Sequence, residues 1–496
     1  MSASRIEDSS GVDRAGLPEG WAWATLDDLA EVVGGVTKDS KRQSDPALPG
    51  VPYLRVANVQ RMRLDLAEVT TIRVPADAVE RYRLQPGDVL MTEGGDRDKL
   101  GRGWIWEGQI DTCIHQNHVF RARIIGSSIE PKLLALYLNS VARPWLEANA
   151  KQSVNLASIS ISKIKQLPIP VPPAAEQCRI SAALDTRMDR LAAIDRAVAA
   201  GRRDLAILRE AVLLEAVPEP EKWPPHWIAT TTGKAGSIQL GRARHPDWHT
   251  GPKVRPYLRV ANVFEDRIDT SDVKEMDFSG VFGKYRLDPG DILLNEGQSP
   301  HLVGRPAMYR GIPEGVAFTN SLLRFRSSED VLPGWALLVF RRHLHAGRFM
   351  REVRITTNLA HLSAARLKNI EFPVPPLDEQ RRLIRTTKQR LASLDRMERS
   401  LEDAARYNGA LRRALLTEAF SGRLAPQNAE DEPAGELLKR IRVEREVAEA
   451  ERKEARRLAR ASRKRKAETA APPPARSDDT TLADGEQIAL SMEFNS

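Results

Sequence analysis

The chain contains the same eight-residue segment twice, without a single change. "PYLRVANV" stands at residues 52–59 and again at residues 256–263. Two further segments recur at nearly the same distance: "YRLQPGDVL" returns as "YRLDPGDIL", and "TEGGDRDKLGRG" returns as "NEGQSPHLVGRP". A repeat of about two hundred residues has the size of a whole domain rather than of a solenoid turn. The sequence therefore predicts one module written twice.

Both copies follow the same internal order. A Trp-containing segment is followed by short β-branched runs, and Pro86-Gly87 and Pro289-Gly290 suit tight turns between strands. Each copy closes with a proline-rich elbow, "PVPPAAEQ" or "PVPPLDEQ", and a long helix. This order predicts the α/β (α+β) class, as a tandem duplication of a mixed module plus a long helix.

The two long helices carry apolar residues at heptad spacing. The main stripes are Leu184, Leu191, Val198, Leu205 and Val212 in the first copy, and Leu394, Leu401 and Leu415 in the second. Companion stripes add Ile180, Ile194 and Leu208, and then Leu383, Met397, Ala404 and Leu411. Such a 3-4 alternation is typical of coiled coils, so we expect the helices to pack antiparallel. The alternative is that each helix lies on its own module.

Composition narrows the class of protein. The chain has 41% hydrophobic and 29% charged residues, and no apolar run approaches the length needed to span a bilayer. The N-terminus is polar, and Cys113 and Cys178 form no disulfide framework, so we expect a cytoplasmic protein without a membrane segment. The formal net charge is +8, while residues 427–496 hold 14 Lys/Arg against 15 Asp/Glu. The basic excess therefore lies in residues 1–426 and favours a polyanionic partner.

The order of motifs along the chain resembles that of the DNA specificity (S) subunit of type I restriction–modification systems. The motifs are "LPEGW", "PYLRVANV", "YRLQPGDVL", "NLASISISKIKQLPIPVPPAAEQ" with its helix, the second copy of the set, and the closing "LLTEAFSGRL". The resemblance covers about residues 17–424, and the doubled set is highly specific. It implies two target-recognition domains that read a bipartite DNA sequence, and two helical regions that dock methyltransferase subunits.

These observations give a predicted division of the chain. Its parts are a disordered N-terminus (1–16), target-recognition domain 1 (17–167), a central helical spacer (168–217), target-recognition domain 2 (218–370), a C-terminal helical spacer (371–426) and a charged helical or disordered tail (427–496). The tail departs from the simplest pattern of the family. It is interpreted either as a solvated helix or as a nonspecific DNA-binding or partner-docking arm.

No catalytic or metal site is predicted on this chain. An adenine methyltransferase needs an Asn/Asp-Pro-Pro-aromatic tetrapeptide, and an ATPase needs G-x-x-x-x-G-K-[ST]; neither occurs. "HQNH" (115–118) and "HPDWH" (245–249) have ligand-like spacing but lack a nearby third ligand, which favours ordinary histidines. By resemblance, S-adenosylmethionine, ATP and Mg belong to partner subunits.

If the chain holds two copies of a DNA-recognition domain, the motifs that the copies share should form the scaffold. The polar segments that differ between the copies should contact DNA. Asn58, Asn262, Asp88 and Asp291 are therefore assigned to structure. The predicted DNA-binding residues are, in the first copy, Lys38, Lys41, Arg42, Gln43, Arg97, Lys99, Arg102, Lys151, Gln152 and Asn155, and in the second Arg242, Arg244, His245, Gln298, His301, Arg305, Arg354, Thr357 and Asn358.

The predicted function is selection of a bipartite, asymmetric sequence in double-stranded DNA, with a gap between half-sites that the helices fix at about one helical turn. By resemblance the partners are two methyltransferase subunits and the restriction/translocase subunits. Two alternatives stay open: a recognition component of another defence system, and a non-enzymatic coiled-coil adaptor for proteins. The DNA target itself is not encoded in any readable way.

Overall fold

The structure is a computed structural model, and it describes residues 16–96, 99–152, 156–356 and 359–468. The described chain divides into two compact units. Unit 1 comprises the residues up to Thr186 together with those from Arg413 onward, and unit 2 comprises Arg187–Arg412. Each unit thus contains one copy of the repeat and parts of both long helices.

Unit 1 holds the first copy. Its strands are β1 (Ala22–Thr25), β2 (Ala30–Gly34), β3 (Gly50–Leu54), β4 (Val59–Gln60), β5 (Arg63–Leu64), β6 (Thr70–Arg73), β7 (Val89–Thr92), β8 (Gly94–Gly95), β9 (Gly103–Ile105), β10 (Ile114–His115), β11 (Val119–Ile124), β12 (Lys151–Gln152), β13 (Ala157–Ser158) and β14 (Pro168–Val171). Its helices are α1 (Leu26–Leu29), α2 (Ser40–Gln43), α3 (Ala76–Tyr82), α4 (Pro131–Leu138), α5 (Arg143–Asn149), α6 (Ile161–Ile164) and the first part of α7 (Ala174–Ala216).

Unit 2 holds the second copy. Its strands are β15 (Ile228–Thr231), β16 (Gly236–Leu240), β17 (Val254–Leu258), β18 (Val263–Phe264), β19 (Arg267–Ile268), β20 (Lys274–Asp277), β21 (Ile292–Asn295), β22 (Gly297–Gln298), β23 (Pro306–Met308), β24 (Ala317–Phe318), β25 (Leu322–Ser327), β26 (Arg354–Thr356), β27 (Leu359–His361) and β28 (Glu371–Val374). Its helices are α8 (Thr232–Ala235), α9 (Phe282–Tyr285), α10 (Pro333–His345), α11 (Arg348–Glu352), α12 (Ala364–Lys368) and most of α13 (Leu377–Phe420), while α14 (Ala434–Glu468) belongs to unit 1.

The two units share one sheet topology, which confirms the predicted duplication. The central antiparallel sheet has the order β2-β11-β7-β9 in unit 1 and β16-β25-β21-β23 in unit 2. A second sheet pairs the Tyr-Leu of "PYLRV" in parallel with a later strand, in the orders β10-β3-β6 and β20-β17-β24. The buried strands read as apolar runs, such as Val89–Thr92 and Ile292–Asn295, because both of their faces are covered.

The proline-rich elbow joins each module to its long helix. Its strand pairs antiparallel with the first strand of the module, β14 with β1 and β28 with β15. The entering tryptophan then contacts the helix start: the Trp21 indole donates to Glu176 at 2.9 Å, and the Trp227 indole donates to Glu379 at 3.2 Å. The module and the helix are therefore fixed to each other in the same way in both copies.

Within unit 2 the two long helices run antiparallel, as predicted. The Asn408 amide donates to the carbonyl of Leu191 at 2.9 Å, while Arg209, nearer the end of α7, is 2.8 Å from Asp395. Residues nearer the C-terminus of α7 therefore contact residues nearer the N-terminus of α13. Gly201 lies midway, and the Leu401 side chain packs directly against it. This is the pairing of an antiparallel two-helix coil.

The main heptad stripe is buried, whereas most of the companion stripe is exposed: Ile180 is buried, but Ile194, Leu208, Met397 and Leu411 are exposed. Leu184, Leu191, Val198, Leu205, Val212, Leu394 and Leu415 are buried, and Leu401 is partly buried. On the companion stripe, by contrast, Ile194 is 41% exposed and Met397 is 54% exposed. A pair of helices buries one seam only, so the flanking positions of the alternation remain on the surface. In unit 2 the end of the α7 stripe also packs into the module core, beside Trp335 and Phe340.

Candidate nucleic-acid interface

The eight repeated residues form a strand that ends in a capped turn. Asn58 accepts a hydrogen bond from the Arg55 backbone N–H at 2.9 Å and donates to the carbonyls of Asp65 and Glu68 at 2.9 and 2.8 Å. Asn262 makes the equivalent three bonds, at 3.1, 2.9 and 3.1 Å. The assignment of these asparagines to structure is confirmed. Each side chain ties a turn to the loop that follows it.

The repeated Pro-Gly-Asp turns are also structural. Gly87 and Gly290 have φ values of +92° and +99°, a conformation that favours glycine. The following carboxylates are buried: Asp88 accepts two bonds from Arg123, at 2.8 and 2.7 Å, and Asp291 is held in the same way by Arg326. These pairs hold the turn against the central sheet, as the sequence predicted.

Backbone contacts in unit 1 bring several of the predicted polar segments together. The surface formed by the segment after β2, the loop between β10 and β11, and the sheet β8-β13-β12 is called the edge of unit 1. Val36, just before Lys38, forms a parallel bridge with Gln116, and the Glu93 N–H donates to the His118 carbonyl at 2.9 Å. β8, β13 and β12 then form a three-stranded sheet that carries Lys151 and Gln152. Segments that are separated by as many as 80 residues, such as those of Val36 and Gln116, therefore lie side by side.

Unit 2 builds the same edge from its own segments. Arg242 forms a parallel bridge with Thr319, and the Glu296 N–H donates to the Ser321 carbonyl at 3.0 Å. β22, β27 and β26 form the corresponding three-stranded sheet, with Gln298 on β22 and Arg354 on β26. One chain thus presents two edges of the same construction and different composition.

The predicted DNA-binding residues differ in accessibility. Exposed residues are Lys38, Lys41, Arg42, Lys151, Gln152, Arg244, His245 and His301. Partly buried residues are Gln43, Lys99, Arg102, Arg242, Gln298 and Arg305. Arg97, Asn155, Thr357 and Asn358 lie outside the described residues, as do residues 1–15 and 469–496. The Lys and Arg residues of the exposed group are Lys38, Lys41, Arg42, Lys151 and Arg244, and their side chains reach solvent.

Two of the partly buried residues have clear roles within the protein. The Gln43 amide donates to the Arg73 carbonyl at 3.1 Å and accepts from the Arg73 N–H at 3.0 Å, which extends the backbone pairing of β6. The Arg242 guanidinium lies 4.0 Å from the centre of the Trp248 ring and also donates to the Asp277 carbonyl. Both side chains therefore bind groups of their own unit and stabilise the segment that carries them.

The sequence analysis did not select the loop between β10 and β11, which lies at the centre of the unit 1 edge. His118 in this loop is exposed and lies 2.6 Å from Glu93. In unit 2 the equivalent glutamate, Glu296, pairs instead with His361 on β27, at 3.4 Å. Asn117 and Asn320 occupy matching positions of this loop in the two copies, and such shared residues were predicted to belong to the scaffold.

The paired histidines do not form metal sites. In the described part of the chain, no group of three or more His, Cys, Asp or Glu side chains is placed to hold a metal ion. Within "HQNH", His115 is buried with its Nδ1 2.7 Å from the Val119 carbonyl, whereas His118 is exposed. Burial lowers the pKa of His115 to about 4. A buried neutral imidazole that bonds to the backbone is a structural group.

One chain therefore carries two polar edges that are built alike. Residues 18–197 match the family model of the type I restriction modification DNA specificity domain. The EcoKI specificity subunit of Escherichia coli K12 is 26% identical over 86% of this chain and 96% of its own length. The StySPI specificity subunit of Salmonella potsdam is 24% identical over 88% of this chain and 98% of its own.

A solved structure has the same fold. It is described as "Structural basis underlying complex assembly and conformational transition of the type I R-M system", and it matches with a TM-score of 0.64 and 19% identity over 82% of this chain and 99% of that chain. Residues 18–197 thus match the type I restriction modification DNA specificity domain, and most of the chain is similar to specificity subunits of type I restriction enzymes. In the described residues, no helix combines the length and the apolar composition needed to cross a bilayer.

Proposed function

We propose that this chain selects a bipartite DNA sequence, with each of its two edges contacting one half-site. The observation that carries the proposal is the duplication of the edge: the same three-stranded sheet and the same bridged loops occur in both units with different side chains. Unlike side chains on like scaffolds should read unlike half-sites, so the target is asymmetric. Base edges are read by hydrogen-bonding side chains, and phosphates are held by cations.

We propose that catalysis belongs to partner subunits. Two methyltransferase subunits and the restriction/translocase subunits would supply it, with S-adenosylmethionine, ATP and Mg bound there. The complex would act in the cytoplasm, where its DNA substrate is found. The antiparallel helices would set the gap between half-sites, because a helix advances about 1.5 Å per residue and changes length little under load.

Methylation of plasmid and genomic DNA tests this function. The chain alone should leave DNA unmethylated, and co-expression with its methyltransferase subunit should methylate a single two-part motif. Activity of the chain alone would contradict the proposal. A protein adaptor would support no methylation, and recovery of a different enzyme as the bound partner would indicate another defence system.

Substitutions on the edges sharpen the test. Replacing both Lys151 and Gln152 with Ala should weaken binding of the target by tenfold or more, since one lost base contact costs about 1–3 kcal/mol. Replacing Arg244 and His245 should do the same through the other half-site. Lys222→Gln removes an exposed cation away from both edges and should leave binding unchanged. Equal effects of all three variants would refute the assignment of the edges.

A further inference from the structure

The C-terminal helix α14 begins as an integral part of unit 1. The Ala434 N–H donates to the Gly20 carbonyl at 2.8 Å, and Ala434 is completely buried. Just before it, Asp431 pairs with Arg179 at 2.5 Å, and the Arg179 Nε donates to the Pro426 carbonyl at 3.2 Å. The start of α14 is therefore fixed by several independent contacts.

The next turns of α14 stay on the surface of unit 1. Ile441 is buried, and its side chain lies over Gly126. Arg445 donates to the carbonyl of Asp27 and lies 3.6 Å from its carboxylate. These contacts anchor three turns of helix and give α14 a defined direction of departure.

Beyond Arg445 the helix leaves the surface. Every described side chain from Glu446 to Leu458 is exposed, with Val447 at 53% and Leu458 at 59%. The backbone continues as helix to Glu468. Twenty-three residues from Glu446 would extend about 34 Å at 1.5 Å per residue. The described side chains beyond Arg445 therefore contribute nothing to the core of unit 1.

Charge is distributed unevenly along this region. Residues 434–450 hold four Lys/Arg and four Asp/Glu, and two of the cations are paired locally: Lys439 with Glu436 at 2.7 Å and Arg440 with Glu432 at 2.9 Å. Residues 451–468 hold nine Lys/Arg against three Asp/Glu, whereas residues 469–496 hold one against five. Although the net charge of residues 427–496 is close to zero, residues 451–468 form a strongly basic helical segment.

We propose that residues 451–468 form an accessory arm that binds the sugar-phosphate backbone of duplex DNA without reading its sequence. The proposal rests on the DNA-binding function above and adds a third contact region to the two edges. Cations on an exposed helix attract phosphates and release counterions, and this term is independent of sequence. The anchor on unit 1 would tether the arm to the unit that carries the first edge.

Two truncations of the full chain isolate the arm. One ends after Glu468 and removes only the acidic tail, and the other ends after Ala450 and removes the basic segment as well. Binding to a 30-base-pair duplex of arbitrary sequence is measured by fluorescence anisotropy at several salt concentrations. The shorter chain should show a slope of log K against log salt that is smaller by about two to four, since each neutralised phosphate contributes about 0.9. The longer truncation should keep the slope of the full chain.

Matched double substitutions guard against an effect of truncation on folding. Arg456→Gln with Arg460→Gln should reduce the slope by about one to two. Lys439→Gln with Arg440→Gln removes the same charge from the anchored, locally paired part of α14 and should leave the slope unchanged. Equal slopes for the two double variants would overturn the proposal that residues 451–468 bind DNA. The proposal would also be overturned if loss of these residues impaired assembly with an acidic protein but left DNA binding unchanged. Absence of DNA binding by the full chain would instead refute the proposed function together with the arm.

Discussion

Gln177 in unit 1 and Gln380 in unit 2 occupy the same place in the two copies and make the same three hydrogen bonds. The Gln177 amide accepts from the Glu130 N–H at 2.8 Å and donates to the carbonyls of Ser128 and Pro172. The Gln380 amide accepts from the Leu332 N–H at 2.9 Å and donates to the carbonyls of Asp330 and Pro375. The glutamine of "PVPPxxEQ" therefore links the elbow to the loop that precedes α4 in unit 1 and α10 in unit 2.

The edges of the two units show the opposite behaviour. At the start of the edge, unit 1 uses the Gln43 amide against the backbone of Arg73, whereas unit 2 stacks Arg242 on Trp248. The histidine that meets the edge glutamate also comes from different segments, His118 in one unit and His361 in the other. Apart from the edge glutamate, the shared letters compared here carry the same hydrogen bonds in both units, and letters that differ occupy the edge. Under the proposed function, the shared letters would form the scaffold and the differing letters would set specificity.

The strongest test of the shared scaffold is loss of the buried carboxylates. Asp88→Asn should lower the free energy of unfolding by about 3 kcal/mol, because Arg123 loses its buried ionic partner. Asp291→Asn should cost about 1 kcal/mol less, since Arg326 also binds Asp288 at 2.7 Å. Urea unfolding followed by tryptophan fluorescence measures both. Asp288→Asn is the control with the smallest loss, and equal losses for all three would break the comparison.

The elbow glutamines should give a smaller and symmetric effect. Gln177→Ala and Gln380→Ala each leave one N–H and two carbonyls without their amide partner, which should cost about 2–3 kcal/mol. The midpoint of urea unfolding should fall by a similar amount in both variants. Asp378→Ala, at an exposed position near the start of α13, should change stability by less than about 0.5 kcal/mol. A loss confined to one glutamine would show that the two elbows are not equivalent.

An effect confined to acid pH, and absent under the neutral conditions of the preceding measurements, is a pH dependence that both units share. Burial lowers the pKa of His115 in unit 1 and of His343 in unit 2 to about 4, from an ordinary value of 6.5. Between these values the unfolded chain binds protons that the folded chain excludes, so stability is complete above pH 6.5 and falls as the pH drops toward 4.

Each such histidine should contribute a slope of up to about 1.4 kcal/mol per pH unit within that window. His115→Gln should remove its share of the slope when unfolding is measured from pH 7 to pH 4. His343→Gln should act in the same direction. Substitution of the exposed His301 serves as the control, because its ring meets solvent in the folded chain too. A slope that no buried-histidine variant alters would contradict the assignment.

Much of the fold could be predicted from the sequence because the chain contains two copies of one module, which can be compared with each other. Identical turns at Pro86-Gly87 and Pro289-Gly290 indicated the same strand pairing, and the heptad positions indicated the buried seam that includes Leu191 and Leu394. The edge was predicted only as clusters of polar residues. Gln43 and Arg242 stood among the unlike polar residues of the sequence, and only their neighbours in space show that they bind their own unit.

The sequence by itself determined the duplication, the seam of the helix pair and the residues that hold each turn, because these depend on local spacing and on residues that recur. Tertiary structure alone decided which loops meet at each edge, since that depends on pairings between strands more than fifty residues apart, such as β3 with β10. It also decided where α14 leaves unit 1. Heptads and charge counts describe a helix, but its anchor depends on contacts such as Arg445 with Asp27, which no local pattern encodes.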